Sequence, residues 1–223
     1  MASAKALLGA VAGRFLFRHG KVTAVAKLSE RFVRIDVAGQ ELVGAPFEPG
    51  DKVQLYFAGI GMRTYTPVTW EASGRTWFLG FAHGEGPGSR WVREVKAGDE
   101  VAIFGPRRSI DVSSHHGPLV VVGDETSLAV TVALTRARVD RHVTAVLEAG
   151  APEELRRVAK KLELGHVVVT ARGQLEEALR AQLALGATPV FTGNAATIQT
   201  LKRNLKASGK TKAYWAAGKS GLD

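Results

Sequence analysis

The run Arg63-Thr64-Tyr65-Thr66 puts a guanidinium, a phenol and two hydroxyls within four residues. A guanidinium forks onto a pyrophosphate. A phenol ring stacks on a flat heteroaromatic ring, and a hydroxyl hydrogen-bonds a ring nitrogen. These are the three things a flavin needs. Alternation along a strand would put Arg63 and Tyr65 on one face and Thr66 on the other, unless a bend near Pro67 brings Thr66 round. The same four residues are also ordinary strand composition, so alone they assign nothing. A Gly-rich turn from His83 to Trp91 follows, containing Gly84, Gly86, Gly88, Ser89 and Arg90. Ser89 and Arg90 read either as phosphate ligands at the start of a short helix or as a helix N-cap with a solvated arginine. His83 either meets a flavin phosphate or caps a strand end.

These residues need a scaffold, and composition bounds it. A chain of 223 residues holds one large domain or two modest ones. Hydrophobic content of 45% and charged content of 23% are those of a globular protein. Cysteine is absent, which excludes disulfides, Cys-ligated zinc and iron–sulfur clusters. Electron chemistry would therefore rest on a bound organic cofactor or a non-Cys metal site. The formal charge of +9 favours anionic partners without choosing among nucleic acid, acidic membranes, phosphorylated cofactors, an acidic protein or an anionic metal chelate. The charges are spread along the chain, not gathered in a basic tail. No apolar run is long enough to span a bilayer. The N-terminus resembles a secretory signal only faintly; Leu7, Leu8, Val11 and Phe15 recur at helical spacing and predict a short amphipathic helix.

Periodicity changes near residues 112–117. Before that point Lys21–Lys27, Phe32–Val37, Val53–Phe57, Arg63–Trp70, Thr76–Ala82 and Val101–Gly105 read as strands, with a short helix over Gly88–Val95. Six short strands with turns at close intervals predict a small antiparallel β-barrel. Ser113–Gly117 reads as a linker. Beyond it, Pro118–Gly123 is a continuous apolar run, as a strand buried on both faces requires. Helices over Ser127–Arg138, Pro152–Leu162, Gln174–Leu185 and Thr197–Ala207 then alternate with strands at His142–Leu147, Val167–Thr170, Val190–Thr192 and Ala213–Trp215. That alternation predicts a small parallel sheet with helices on both faces.

In this layout the chain resembles the siderophore-interacting proteins, FAD-binding ferric-siderophore reductases within the ferredoxin-reductase-like flavoproteins. The resemblance is carried, in order, by Phe47-Glu48-Pro49-Gly50-Asp51, Arg63-Thr64-Tyr65-Thr66, the His83–Trp91 turn, Ala97-Gly98-Asp99, Gly105-Pro106, Gly123-Asp124-Glu125-Thr126 and Tyr214-Trp215…Gly218. It implies an N-terminal helical extension over 1–18, an FAD-binding β-barrel domain over 19–114 and an NAD(P)H-binding-like α/β domain over 115–223. It also implies FAD held by Arg63, Thr64, Tyr65, Thr66, His83, Gly88, Ser89, Arg90, Trp91, Thr126 and Trp215, with hydride reaching the flavin near Thr66. The chain departs from the family pattern at Val68, where an arginine usually stands, and after Thr126, where Ser127-Leu128-Ala129-Val130 follows without the family's usual proline. FMN in place of FAD is thus an open alternative.

Past Gly123 no Gly-x-Gly-x-x-Gly follows, so the usual dinucleotide fingerprint is absent. Asp124 reads best as a helix cap, and Thr126 as the better ligand candidate. Glu148 ends the second α/β strand, where an acid holds a ribose 2′-hydroxyl and rejects a 2′-phosphate, or else is a surface carboxylate. Lys202, Lys206 and Lys210, with Arg203 and Lys212, form a basic strip that either holds an anionic ferric chelate or is a solvated face. Trp215 either shields the flavin or belongs to the sheet core. His115-His116 reads as solvated loop. No Ser–His–Asp or Cys–His set argues for a hydrolase. The expectation is a cytoplasmic monomer that reduces the iron of a ferric siderophore with electrons from NADH, NADPH or ferredoxin, without binding nucleic acid. Its rivals are a generic NAD(P)H:flavin diaphorase, a degenerate non-catalytic binding module, and a basic protein associated with nucleic acid or membrane.

Overall fold

The computed structural model describes residues 17–57, 61–138 and 142–218. The helix expected over Leu7, Leu8, Val11 and Phe15 lies outside the described residues. The first sheet is antiparallel and has seven strands, β1 (Arg18–Lys27), β2 (Phe32–Ala38), β3 (Lys52–Phe57), β4 (Gly61–Tyr65), β5 (Pro67–Trp70), β6 (Arg75–Phe81) and β7 (Glu100–Arg107). Their order is β4-β3-β7-β1-β2-β6-β5. Helix α1 (Pro87–Glu94) follows β6.

The strand expected over Arg63–Trp70 is in fact two strands that break at Thr66. That break decides the architecture. β4 and β5 are the two edges of the sheet, yet a single residue joins them. The sheet must therefore curl until its edges meet at Thr66, with Pro67 opening the second strand where a missing N–H is tolerated. Inside the curl, Val22, Val33, Ile35, Val37, Leu42, Val53, Leu55, Phe78, Val101 and Ile103 form one core.

The second sheet is parallel, in the order β10-β9-β8-β11-β12. Its strands are β8 (Leu119–Asp124), β9 (Val143–Ala149), β10 (Val167–Ala171), β11 (Thr188–Asn194) and β12 (Lys210–Trp215). They alternate with α2 (Leu128–Ala137), α3 (Pro152–Lys161), α4 (Leu175–Ala184) and α5 (Ala195–Leu205). β8 is buried at every position, as its unbroken apolar run requires. Val120 and Val122 face α4 and α5, while Leu119 and Val121 face α2 and α3. The strand order reverses between β8 and β11, so a crevice opens outside their carboxyl ends.

The two sheets share an apolar seam. Phe32, Val68, Trp77 and Leu79 of the first domain are buried in the same cluster as Leu128, Val132 and Leu155 of α2 and α3. Val68, where the family pattern has arginine, is thus a seam residue here, 2% exposed. A polar latch closes one side. Glu154 accepts from Ser29 Oγ at 2.6 Å, Arg31 N at 3.1 Å and Arg31 Nε at 2.7 Å. Nearby, Lys161 Nζ donates to the Leu28 carbonyl at 2.6 Å. A second clamp holds the linker, where the buried Arg138 guanidinium donates to the carbonyls of Val112, His115 and Gly117.

Burial alone would raise the Glu154 carboxyl, but the Ser29 and Arg31 hydrogen bonds outweigh it and hold the group below its ordinary value. Its folded pKa is depressed, so the latch stabilises fully above the ordinary carboxylate range and is lost as pH falls through the lowered value. Glu154→Gln is expected to cost about 1–3 kcal/mol at neutral pH, discounted because Arg31 remains partly exposed. The melting-temperature gap between wild type and variant should shrink as the pH is lowered from about 6 to about 3. A gap independent of pH would remove the carboxylate from this account.

Candidate functional site

A cleft lies at the seam. Thr64, Tyr65, Thr66, Phe32, Leu79 and Phe81 line it from the first domain, and Glu125, Thr126, Ala129 and Tyr214 from the second. The break between β4 and β5 explains how Thr64, Tyr65 and Thr66 come to line one space: alternation ends where the strand ends. Tyr65 is braced from behind, its ring 5.6 Å from Trp91 and 6.2 Å from Phe78. Burial raises its phenol well above the ordinary value, against a smaller lowering by Arg63, so Tyr65 stays neutral across the working pH range. From the other domain, the Tyr214 side chain hydrogen-bonds Thr66, and burial raises its phenol too.

Arg63 stands beside the start of α1. A Cβ added to Gly88 would lie 3.7 Å from Arg63 Cγ and 3.7 Å from Tyr65 Oη. The Arg63 guanidinium donates to the Met62 carbonyl at 2.8 Å. The first turn of α1 carries neither a side-chain cap nor an acid, and its N-cap is Gly86. Its N–H groups and partial positive charge therefore remain open to an anion next to Arg63. Arg90 is exposed on this helix. Ser89 is buried, and its hydroxyl donates to the His83 carbonyl at 2.6 Å while accepting from His83 N at 2.9 Å. It holds the turn. The exposed His83 stacks on Phe81, with centroids 5.5 Å apart. Trp91 packs on Phe57 and Tyr65.

The Gly123-Asp124-Glu125-Thr126 run is committed to internal bonds. Asp124, 2% exposed, accepts from Thr126 N at 2.9 Å, Thr126 Oγ1, Asn194 N at 3.0 Å and Trp215 Nε1 at 2.7 Å. It caps the 3-10 turn that leads into α2, the capping role read for it from the sequence. Glycine is required at 123, where a Cβ would lie 2.2 Å from Ser127 Oγ. Trp215 thus anchors on Asp124 and lines a second cleft, while its neighbour Tyr214 lines the first. Sequence reading singled out Trp215 for the flavin and gave Tyr214 no role beyond the motif. Strand alternation puts such neighbours on opposite faces, and it is the signal that separates them.

The basic strip lies elsewhere. Lys202 Nζ donates to Thr211 Oγ1 at 3.1 Å, Lys206 ends α5 in the left-handed conformation, and Lys210 opens β12 near Asp111. Lys210 and Tyr214 lie four steps apart along the strand, roughly 13 Å. The lysines therefore sit at the far end of β12 from the first cleft. Among the described residues no cluster of three or more metal-ligating side chains occurs, and no helix is long and apolar enough to cross a membrane.

An antiparallel barrel-like sheet packed on a parallel α/β domain, with a cleft at the seam, is the two-domain fold of the ferredoxin-reductase-like flavoproteins. Within that class, residues 58–110 match the family model of the siderophore-interacting FAD-binding domain, and the resemblance drawn from the motifs holds. A siderophore utilization protein from T. fusca superimposes with a TM-score of 0.71 at 22% identity, over 93% of this chain and 95% of its own. The siderophore-interacting protein SipS from Aeromonas hydrophila does so with a TM-score of 0.68 at 21% identity, over 92% and 93%. A ferredoxin NADP+ reductase from Neisseria gonorrhoeae, solved with bound FAD and NADP, gives a TM-score of 0.72 at 15% identity, over 90% and 99%. No curated protein matches the sequence.

Proposed function

We propose that this chain is an FAD-dependent oxidoreductase that passes electrons from NAD(P)H or ferredoxin to the iron of a ferric siderophore. The observation that carries the flavin reading is the convergence of Thr64, Tyr65, Thr66, Thr126 and Tyr214 on one cleft, with Arg63 and an uncapped helix N-terminus beside Tyr65. The donor set fits the group: aromatic walls for a ring, hydroxyls for its polar edge, a guanidinium and open amides for a diphosphate. When bound, the flavin would supply the conversion of two-electron donation into one-electron steps. The chain's own residues do the rest. Arg63 and the α1 amides hold the diphosphate. Tyr65, stiffened by Trp91 and Phe78, gives the ring a flat neutral wall. Thr66 presents its hydroxyl at the seam, where donor and acceptor must both approach. Phe32, Leu79 and Phe81 exclude water. No residue acts as a nucleophile or general base. The siderophore as acceptor rests on the family match over residues 58–110 and on the names of the relatives.

The visible spectrum of the purified protein tests the reading. A flavin spectrum, bleached anaerobically by NADH, NADPH or reduced ferredoxin and restored by a ferric siderophore, is expected. A protein that is colourless and takes up no added FAD is a binding module of another kind. One that reduces dyes but not ferric siderophores is a diaphorase.

A further inference from the structure

The second cleft, of about 470 Å³, opens outside the carboxyl ends of β9, β11 and β12, beyond the switch point. Its walls include Glu148, Arg172, Gly173, Asn194, Thr197 and Trp215. We infer that the ion network Glu125–Arg172–Glu148, two buried carboxylates on one exposed arginine, makes this cleft select an adenosine dinucleotide whose ribose carries no 2′-phosphate. The inference rests on the oxidoreductase reading and names its donor as NADH.

Arg172 is the cation that faces the cleft, and an isolated arginine there would bind a 2′-phosphate. It is not isolated. Its Nη2 lies 3.3 Å and 3.1 Å from the two Glu125 oxygens, and its Nη1 lies 3.8 Å from Glu148 Oε1. Both carboxylates are buried, at 3% and 7% exposure. Two anions against one cation leave a net negative charge, and solvent reaches the cation's side of the cluster more than the buried carboxylates. A phosphate dianion at the outer edge of Arg172 meets both. Glu148 Oε2 accepts from Gly173 N at 3.1 Å, whereas Oε1 has the guanidinium only beyond hydrogen-bond distance. Oε1 therefore keeps acceptor capacity for a ribose hydroxyl.

The neighbouring helix ends agree. Asn194 Oδ1 caps α5, accepting from Ala196 N and Thr197 N, and Asp124 caps the turn before α2. The first turns of α3 and α4 each carry two glutamates. Among the described residues, the helix N-termini around this crevice are either capped or carry glutamates that repel phosphate, unlike α1 in the first domain. Recognition must come from the ribose and the base.

Calorimetry at about 0.15 M salt with ADP-ribose and 2′-phospho-ADP-ribose, neither of which delivers hydride, reads this directly. Wild type is expected to bind ADP-ribose at least about tenfold more tightly. The Glu125→Gln/Glu148→Gln variant, if folded by circular dichroism, should lose that preference. Equal or tighter binding of the 2′-phosphorylated probe by wild type, or binding of neither, overturns the inference whatever the variant does. Flavin content measured on the same samples separates the outcomes, because a yellow protein with the wrong nucleotide preference refutes this selectivity alone.

Discussion

Arg63→Ala/Tyr65→Ala is expected to emerge colourless and to bind added FAD about 30-fold to about 2,000-fold more weakly than wild type. Charge-assisted hydrogen bonds from Arg63 to a diphosphate contribute about 1.5–3 kcal/mol. The aromatic wall contributes about 0.5–1.5 kcal/mol beyond its buried area. Their sum, about 2–4.5 kcal/mol, gives that range at about 1.4 kcal/mol per tenfold. Among the described residues the Arg63 guanidinium donates to the neighbouring Met62 carbonyl and no other group, so its removal leaves the core of the first sheet intact. Tyr65 is more entangled, because its ring meets Trp91 and Phe78. Arg63→Ala alone should thus weaken FAD by about 10-fold to about 150-fold with an unchanged melting temperature. FAD titration followed by fluorescence, with circular dichroism as the control for folding, measures both. Retention of the flavin by the double variant would move the cofactor away from this cleft.

How this cleft is assembled was only partly legible in the sequence. Periodicity located the strands and helices closely, because β8 is apolar up to its closing Asp124 and α3 has one clear apolar face. It also joined β4 to β5, since Arg63–Trp70 has unbroken strand composition. The break at Thr66 goes with the curl that brings the two edge strands of the sheet together, a property of seven strands of which Pro67 is the local sign. The phosphate-ligand role weighed for Ser89 meets a similar limit. Spacing from a Gly-rich turn cannot tell a hydroxyl open to ligand from one spent on the His83 backbone. The partners of Glu148 were hidden for a third reason. Arg172 and Glu125 are 24 and 23 residues away from it in the chain, and only parallel pairing of β8, β9 and β10 brings their ends side by side. Glu154 and Arg138 carry no motif, yet each fastens one domain or linker to another part of the chain.

Asp124→Ala is expected to lower the melting temperature by about 6–20 °C, the largest stability loss among these substitutions. The reason is convergence. Thr126 N, Thr126 Oγ1, Asn194 N and Trp215 Nε1 all aim at one carboxylate. A buried donor left without an acceptor costs about 1–3 kcal/mol, and water repairs part of that loss because Thr126, Asn194 and Trp215 are all half-buried. A total of about 3–5 kcal/mol follows, which is about 6–20 °C for a chain of this size. Asp124→Asn should be nearly as damaging, because either orientation of the amide turns an N–H₂ toward donors that already point inward. Gly193 tightens the demand further: at φ +91° a Cβ there would lie 2.5 Å from Asp124 Oδ2, so nothing bulkier fits behind the carboxylate. The damage should also reach the first cleft. Trp215 freed from Asp124 no longer fixes the end of β12, and Tyr214 loses its place against Thr66. Near-ultraviolet circular dichroism should report the freed tryptophan, and calorimetric melting the lost stability. A variant that melts within about 2 °C of wild type would show that these donors find water instead, and that the Gly-Asp-Glu-Thr run is not what binds the C-terminal strand to the seam.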